Sequence, residues 1–143
     1  MKILILNGAN LNLLGKREPH IYGTKTLSDL EHLINSNFPN IHFEFFQSNL
    51  EGDLINKLQQ FKGDGVVFNP GAFCHTSIAL HDTIKSIDTP VVEVHISNIH
   101  AREEMRRHSI TASASVGIIS GFHFESYLLG ISYLNQKNQQ DKT

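Results

Sequence analysis

Residues 2–10 have the sequence Lys-Ile-Leu-Ile-Leu-Asn-Gly-Ala-Asn, a short apolar run that ends in polar residues and a glycine. The apolar part, Lys2–Asn7, has the length of a strand, and four runs of the same kind follow at residues 41–47, 65–69, 91–95 and 116–120. Their enrichment in β-branched or aromatic residues is typical of strands. The sequence therefore predicts five strands.

Between these runs, apolar residues recur at helical spacing, which predicts four amphipathic helices. The residues that mark them are Leu27, Leu30 and Ile34; Leu54, Leu58 and Phe61; Ile78, His81 and Ile84; and Phe124, Leu128 and Ile131. Thr26 followed by Asp29 is typical of an N-cap with an acidic first turn. Alternating strands and helices predict an α/β protein, with a parallel sheet covered on both faces and right-handed crossovers.

Size and composition favour one soluble domain. We expect a single domain over residues 1–143, in which the polar segment 136–143 frays. The formal net charge of -2 lacks the basic excess that indicates nucleic acid as a partner. The apolar amino terminus is too short for a signal peptide or a membrane span, and the single cysteine, Cys74, cannot form an internal disulfide. We therefore expect a protein of the reducing cytoplasm that binds neither membranes nor nucleic acid.

The nine histidines are unusual for this length. None of them forms an HxxxH or HExxH pattern, the helical signatures of metal ligands. The sequence therefore predicts no metal site.

Polar residues follow the first, third and fourth predicted strands. In parallel sheets, ligands bind beyond the carboxyl ends of the strands, near the point where the strand order reverses. In the order 2-1-3-4-5 these three strands are neighbours. The loops at residues 8–23, 69–76 and 96–107 should then converge on one crevice.

The fourth strand carries Glu93 and His95, two positions apart. Side chains alternate faces along a strand, so the two point the same way, and a carboxylate there can fix the tautomer of the imidazole and raise its basicity. This arrangement is typical of a general acid. Arg102 and Arg106, four apart in a predicted helix, would share one face suited to an anionic or polyhydroxylated ligand.

The loop at residues 8–23 has neither a helical nor a strand pattern, and so long a loop is usually functional or mobile. It carries Arg17 and Tyr22. A guanidinium about 4 Å from a tyrosinate contributes roughly 4 kcal/mol at an effective dielectric constant of 20. Tyr22 is therefore a candidate base, on a loop that we expect to close over the ligand and to be mobile without it.

Several segments closely resemble the type II 3-dehydroquinate dehydratases, in order and over nearly the whole chain: residues 7–12, 15–19, 22–23, 69–77 and 93–98. The resemblance implies a flavodoxin-like three-layer fold with a five-stranded parallel sheet of order 2-1-3-4-5. It also implies a homododecamer built as a tetramer of trimers, with no cofactor and no metal. The implied reaction is reversible dehydration of 3-dehydroquinate to 3-dehydroshikimate through an enolate, in the shikimate pathway of aromatic amino acid biosynthesis.

The resemblance further implies a role for each candidate residue. Tyr22 is the base, Arg17 its stabilising neighbour, and His95, oriented by Glu93, the acid that protonates the departing hydroxyl. The remaining implied residues are Asn10, which helps to hold a water on the enolate oxygen; Asn69 and the backbone N–H groups of Ile96 and Ser97, on the substrate carboxylate; His75 and Arg106, on ring oxygens; and Asp82, supplied by an adjacent subunit.

The chain departs from the family pattern at four positions. Ala9 replaces a usual proline, and Phe73 and Cys74 replace a common tyrosine and threonine, none of which removes a predicted catalytic group. His81 replaces a frequent arginine beside Asp82. Because histidine is largely neutral at pH 7, we expect a trimer contact that is weaker or pH-dependent.

Other interpretations remain open from the residues alone. A flavin- or nucleotide-binding module would need a phosphate-cradling loop of Gly, Ser and Thr after the first strand, and residues 7–12 match that poorly. A thiol hydrolase would use Cys74 with His75, although adjacent residues rarely place sulfur and imidazole productively. Arg102 is left out of the predicted site, because it could instead pair with Glu103 or Glu104.

Overall fold

The computed structural model describes all of residues 1–143 and contains one five-stranded parallel sheet. The strands are β1 (Lys2–Asn7), β2 (His42–Gln47), β3 (Gly65–Asn69), β4 (Val91–His95) and β5 (Gly117–Ser120). Their order across the sheet is β2-β1-β3-β4-β5, and all neighbours are parallel. The predicted strands and strand order are confirmed, and only β2 and β5 begin one residue later than expected.

The helices are α1 (Pro19–Tyr22), α2 (Leu27–Asn37), α3 (Glu51–Gln60), α4 (Ile78–Ser86) and α5 (Glu125–Asp141). The predicted cap of α2 is a complete capping box. Thr26 Oγ1 accepts a hydrogen bond from the N–H of Asp29 at 3.2 Å, and Asp29 Oδ2 accepts one from the N–H of Thr26 at 2.9 Å. The chain thus turns into α2 directly after the loop that carries Tyr22.

Helices cover both faces of the sheet, so the predicted three-layer architecture is confirmed. Ile3 and Ile5 of β1 face the core that α2 and α5 complete. The alternate residues, Leu4 and Leu6, face the core that α3 and α4 complete. Because both faces of β1 are buried, the strand is continuously apolar rather than alternating.

The buried face of α4 differs from the predicted one. Leu80, Thr83 and Ile84 are buried, whereas Ile78 is 64% exposed. The side chain of Ser77 accepts a hydrogen bond from the N–H of Leu80 at 2.9 Å and so caps the first turn. The helix therefore turns Ile78 outward, a register that apolar spacing alone did not reveal.

The segment after β4 is not the helix that we predicted. It contains two short 3-10 turns, Ile99–Ala101 and Glu104–Arg106. Between them the backbone is extended, with ψ 179° at Arg102 and ψ 157° at Glu103. Arg102 and Arg106 therefore do not share a helix face.

The long loop after β1 has more local structure than its sequence indicates. It contains a 3-10 turn, Leu11–Leu13, and the short helix α1, which begins with a proline in its first turn. Proline is favoured there because its fixed φ suits the helix and its missing N–H would be unpaired anyway. Tyr22 is thus the last residue of a short helix and does not lie in irregular backbone.

The last helix continues through Asp141, into the polar segment for which we predicted fraying. Leu134 of this helix is buried against the sheet, and Lys137 Nζ lies 3.3 Å from Asp141 Oδ1 one turn later. This contact supports the final turns. None of the helices combines the length and the apolar character that crossing a bilayer requires.

Candidate active site

A pocket lies beyond the carboxyl ends of β1, β3 and β4, and the three loops that follow these strands line it. Asn7 and Asn69 end β1 and β3 in register with one another, so both loops leave the sheet at the same level. The predicted convergence is confirmed. The predicted residues that line the pocket are Asn10, Arg17, Tyr22, Asn69, His75, His95, Ile96, Ser97 and Arg106.

The loop after β1 and the loop after β3 pack so closely that position 71 requires a glycine. The N–H of Gly8 donates to the carbonyl of Asn69 at 2.8 Å. Gly71 has a φ of +62°, and a Cβ atom on it would lie 2.7 Å from the carbonyl oxygen of Ala9. A side chain at position 71 would therefore push the two walls of the pocket apart.

His95 and Glu93 form the predicted pair on one face of β4. His95 Nε2 lies 2.8 Å from Glu93 Oε2, and the Glu93 side chain is wholly buried. The carboxylate accepts from Nε2–H, which selects that tautomer and leaves Nδ1 as the nitrogen free of this pairing. An imidazole held in this way can protonate a ligand through Nδ1.

Glu93 has two further hydrogen-bond donors that sequence reasoning missed. Ser109 Oγ donates to Glu93 Oε2 at 2.5 Å, and Thr111 Oγ1 donates to Glu93 Oε1. The only signal in the sequence was the hydroxyl-rich run at residues 109–115, Ser-Ile-Thr-Ala-Ser-Ala-Ser, which follows no periodic pattern. Both oxygens of the buried carboxylate are therefore bonded.

Tyr22 lies between two guanidinium groups. Arg17 Cζ is 5.0 Å from the centroid of the Tyr22 ring, and Arg102 Cζ is 5.8 Å from it. The phenolic oxygen of Tyr22 accepts a hydrogen bond from Arg102 Nη1 at 3.2 Å, and the same nitrogen donates to Ser97 Oγ at 3.3 Å. Arg102, which we had left out, therefore contacts the phenolic oxygen, and Arg17 lies over the ring.

Tyr127, a buried residue that sequence reasoning missed, fixes the start of the loop after β3. Tyr127 donates to Asn7 Oδ1 at 2.6 Å and accepts from Asn69 Nδ2 at 2.9 Å. Burial raises the pKa of Tyr127, so the phenol stays protonated and can keep donating. Since the N–H of Gly71 donates to Asn69 Oδ1 at 3.1 Å, the Asn69 amide is fixed from both ends.

Backbone donors lie just beyond β4. The N–H groups of Ile96 and Ser97 donate no hydrogen bond within the protein, although the carbonyl of each residue accepts one. Both residues line the pocket. Two successive unpaired N–H groups suit a carboxylate or another anion.

The pocket lining is electropositive. It includes Arg17, Arg102 and Arg106 and contains no carboxylate. Arg106 also pairs with Glu103 outside the lining, and His75 is oriented by a 2.7 Å hydrogen bond from its Nδ1 to the carbonyl of His108. The arrangement suits a small anionic ligand with several oxygens.

Asp82 lies outside the pocket of its own chain. It is on α4 with its side chain 72% exposed, and its Oδ1 is 3.1 Å from Nδ1 of His81. Of the predicted site residues, only Asp82 and the buried Glu93 do not line the pocket.

Cys74 is buried behind the pocket beside Glu93. Burial, and secondly the negative charge of Glu93, raise the pKa of Cys74 from its ordinary value of 9.0 to about 12. A thiol with so high a pKa is a poor nucleophile at neutral pH, which argues against a thiol hydrolase. Ligand atoms of Cys74, Glu93 and His95 lie within 4.8 Å of one another, but hydrogen bonds from His95, Ser109 and Thr111 already occupy the Glu93 oxygens.

Comparisons with known proteins point to one enzyme family. The profile of the family described as Dehydroquinase class II matches residues 1–135. The chain is 54% identical to a 3-dehydroquinate dehydratase of Bacillus licheniformis over 142 residues, with 96% of this chain and 98% of the relative covered. It is 53% identical to that of Clostridium acetobutylicum, with 99% and 100% covered.

Solved structures show the same similarity. The type II dehydroquinase of Butyrivibrio crossotus superposes with a TM-score of 0.92 at 43% identity, over 94% of this chain and 97% of that one. The enzyme of Propionibacterium acnes superposes with a TM-score of 0.85 at 38% identity, over 93% and 94% of the two chains.

Proposed function

The chain belongs to the class II dehydroquinase family and catalyses the reversible dehydration of 3-dehydroquinate to 3-dehydroshikimate; from this premise we propose that the pocket beyond β1, β3 and β4 is its active site. One observation carries the proposal. The pocket holds a phenol bonded to a guanidinium, Tyr22 with Arg102, and an imidazole bonded to a buried carboxylate, His95 with Glu93. These are a base and an acid that reach one ligand from different loops.

Tyr22 removes the proton from the carbon beside the substrate ketone, and an enolate forms. A tyrosine can act as a base only when its anion is stabilised, because an unperturbed phenol is almost entirely protonated at pH 7. Arg102 donates to the phenolic oxygen, and the guanidinium of Arg17 is 5.0 Å from the ring centroid. Both positive charges favour the tyrosinate.

His95 delivers a proton to the departing hydroxyl, which leaves as water. Its Nε2–H is held by Glu93, so the proton leaves from Nδ1. A negative carboxylate behind the ring stabilises the imidazolium that must form before the transfer. The base thus takes one proton from the substrate and the acid gives one to the leaving hydroxyl, so the dehydration involves no change of oxidation state.

Positioned donors hold the substrate and its enolate. Asn10 has a left-handed backbone with φ 69° and lines the pocket, where it helps to hold a water on the enolate oxygen. Asn69 and the backbone N–H groups of Ile96 and Ser97 bind the substrate carboxylate. His75 and Arg106 contact ring oxygens.

The active assembly is a homododecamer built as a tetramer of trimers, in which Asp82 reaches the site of an adjacent subunit. Two observations support a larger assembly. Asp82 is exposed on α4, away from its own pocket. Apolar side chains are exposed along one edge of the sheet: Ile118 of the edge strand β5 is 40% exposed, Val116 just before it 55%, and Tyr133 of the neighbouring α5 46%. An uncovered apolar edge is a common interface.

The reaction proceeds without a Schiff base, because no lysine lines the pocket. Sodium borohydride reduces imines formed between a lysine and a ketone substrate. Treatment with borohydride and 3-dehydroquinate together should leave activity unchanged and add no mass to the protein. Inactivation with a covalent adduct on a lysine would contradict the proposed route.

A flavin- or nucleotide-binding module is not favoured. Residues 8–23, which follow β1, contain no serine or threonine to cradle a phosphate, and the family match is to dehydroquinases. We place the reaction in the shikimate pathway and the enzyme in the cytoplasm. The free, buried Cys74 fits a reducing compartment.

A further inference from the structure

The carboxylate of Glu93 is the centre of a hydrogen-bond network that extends past His95. Its Oε2 accepts from His95 Nε2 at 2.8 Å and from Ser109 Oγ at 2.5 Å, and its Oε1 accepts from Thr111 Oγ1. Glu93 and Thr111 are both 0% exposed. A carboxylate with no exposed surface needs hydrogen-bond donors from inside the protein, and these three side chains supply them.

The turn that carries the two hydroxyls is itself fixed. The N–H of Ile110, the residue between them, donates to the carbonyl of Cys74 at 2.7 Å. The N–H of Ala112 donates to Ser109 Oγ at 3.1 Å. Ser109 Oγ thus accepts one backbone hydrogen bond while its proton is donated to Glu93, and the backbone holds both hydroxyls beside the carboxylate.

We propose that Ser109 and Thr111 are positioning residues for the acid step, and that they act on His95 through Glu93. The inference rests on the proposed role of His95 and extends it. Donors on both oxygens stop the carboxylate from rotating, so the imidazole keeps the orientation that presents Nδ1 to the leaving hydroxyl. Neither hydroxyl lines the pocket, so neither contacts the substrate.

The experiment compares Thr111→Val, Thr111→Ser and Ser109→Ala with wild type, and measures kcat and KM separately with 3-dehydroquinate. Thr111→Val keeps the shape of the side chain and removes the donor, and we expect kcat to fall about tenfold to a hundredfold with KM within about twofold. Ser109→Ala should act in the same direction. Thr111→Ser restores the hydroxyl, so kcat should return toward wild type.

Ser113→Ala is the matched control. Ser113 lies in the same turn and donates to the carbonyl of Ile110 at 3.0 Å, away from Glu93. An equal loss of kcat in Ser113→Ala, an unchanged kcat in Thr111→Val, or no rescue by Thr111→Ser would each overturn the proposal. If His95 were not the acid, His95→Ala would keep its turnover, a result distinct from any of these.

Discussion

Arg102 Nη1 lies 3.2 Å from the phenolic oxygen of Tyr22, although 80 positions separate the two residues in the chain. The contact joins the loop after β1 to the loop after β4. It places the permanent positive charge of Arg102 next to the phenolic oxygen, the atom that carries the negative charge when Tyr22 acts as a base. Arg17 adds a second positive charge near the ring, with its guanidinium carbon 5.0 Å from the ring centroid.

Replacing Arg102 with glutamine should weaken the base. Without the guanidinium the phenolic oxygen loses a hydrogen-bond donor and the positive charge beside it, so proton removal should be slower. At neutral pH we expect kcat to fall about tenfold to a hundredfold. Steady-state kinetics with 3-dehydroquinate measures the effect.

Lys16→Gln is the control for Arg102→Gln. Lys16 lies in the first loop, carries the same charge and does not line the pocket. It should leave kcat within about twofold of wild type. Equal losses of kcat in the two variants would mean that only net charge matters, and not the contact with the phenolic oxygen.

Mixed assemblies test whether Asp82 serves a neighbouring site. Asp82→Ala and Tyr22→Phe should each be nearly inactive alone. After dissociation and reassembly of an equal mixture, about one quarter of the sites should combine an intact Tyr22 with an intact Asp82 from the neighbour. Turnover should recover to about that fraction of wild type. No recovery in assemblies shown to contain both chains would place Asp82 in the service of its own subunit.

Cys74 predicts how stability changes at alkaline pH. In the unfolded chain the thiol ionises near its ordinary pKa of 9.0, whereas in the folded protein the pKa is about 12. The folded state thus favours the protonated thiol, a stabilisation that is complete below pH 9.0 and is lost as pH rises toward 12. Over that window the free energy of unfolding should fall by about 1.4 kcal/mol per pH unit.

Cys74→Ala removes this titration and leaves the catalytic groups in place. Urea unfolding between pH 8 and pH 11 should show a shallower decline for the variant than for wild type, whatever the offset at pH 8, and turnover should stay within about twofold of wild type. Identical slopes would mean that the thiol is not shielded as the structure places it. A large loss of turnover would revive the thiol as a catalytic group.

Tyr127→Phe should lower the stability of the protein by removing the hydrogen bonds that join the ends of β1 and β3. The phenol bonds to Asn7 and Asn69, and its removal leaves two buried amides with one partner fewer. We expect a loss of about 1–3 kcal/mol in the free energy of unfolding. Tyr133→Phe, at a tyrosine that is 46% exposed on the same helix, should cost far less. A stability loss no larger than that of Tyr133→Phe would contradict the proposed network.

Local patterns account for the parts of this molecule that the sequence predicted well. The strands are recognisable because a parallel sheet buried on both faces needs continuous apolar runs, of which β1 is the clearest. Glu93 and His95 follow from strand alternation alone. The Thr26 capping box follows from a spacing of three residues.

Other features depend on contacts between distant segments, which no local pattern encodes. The contact between Arg102 and Tyr22 spans 80 positions, and that between Thr111 and Glu93 spans 18. The predicted helix after β4 failed because extended backbone at Glu103 interrupts it. The buried face of α4 likewise depends on distant residues, because Leu80 and Ile84 pack in one core with Leu4 of β1.

The central claim is that Tyr22 is the base of a dehydratase. The most direct measurement is the ultraviolet absorbance of the conjugated enone product after wild type, Tyr22→Phe or Tyr133→Phe is mixed with 3-dehydroquinate. Absorbance should rise with wild type and with Tyr133→Phe, and Tyr22→Phe should be slower by about a hundredfold to ten-thousandfold. No rise with wild type would contradict the reaction, and a rise at the wild-type rate with Tyr22→Phe would contradict the base.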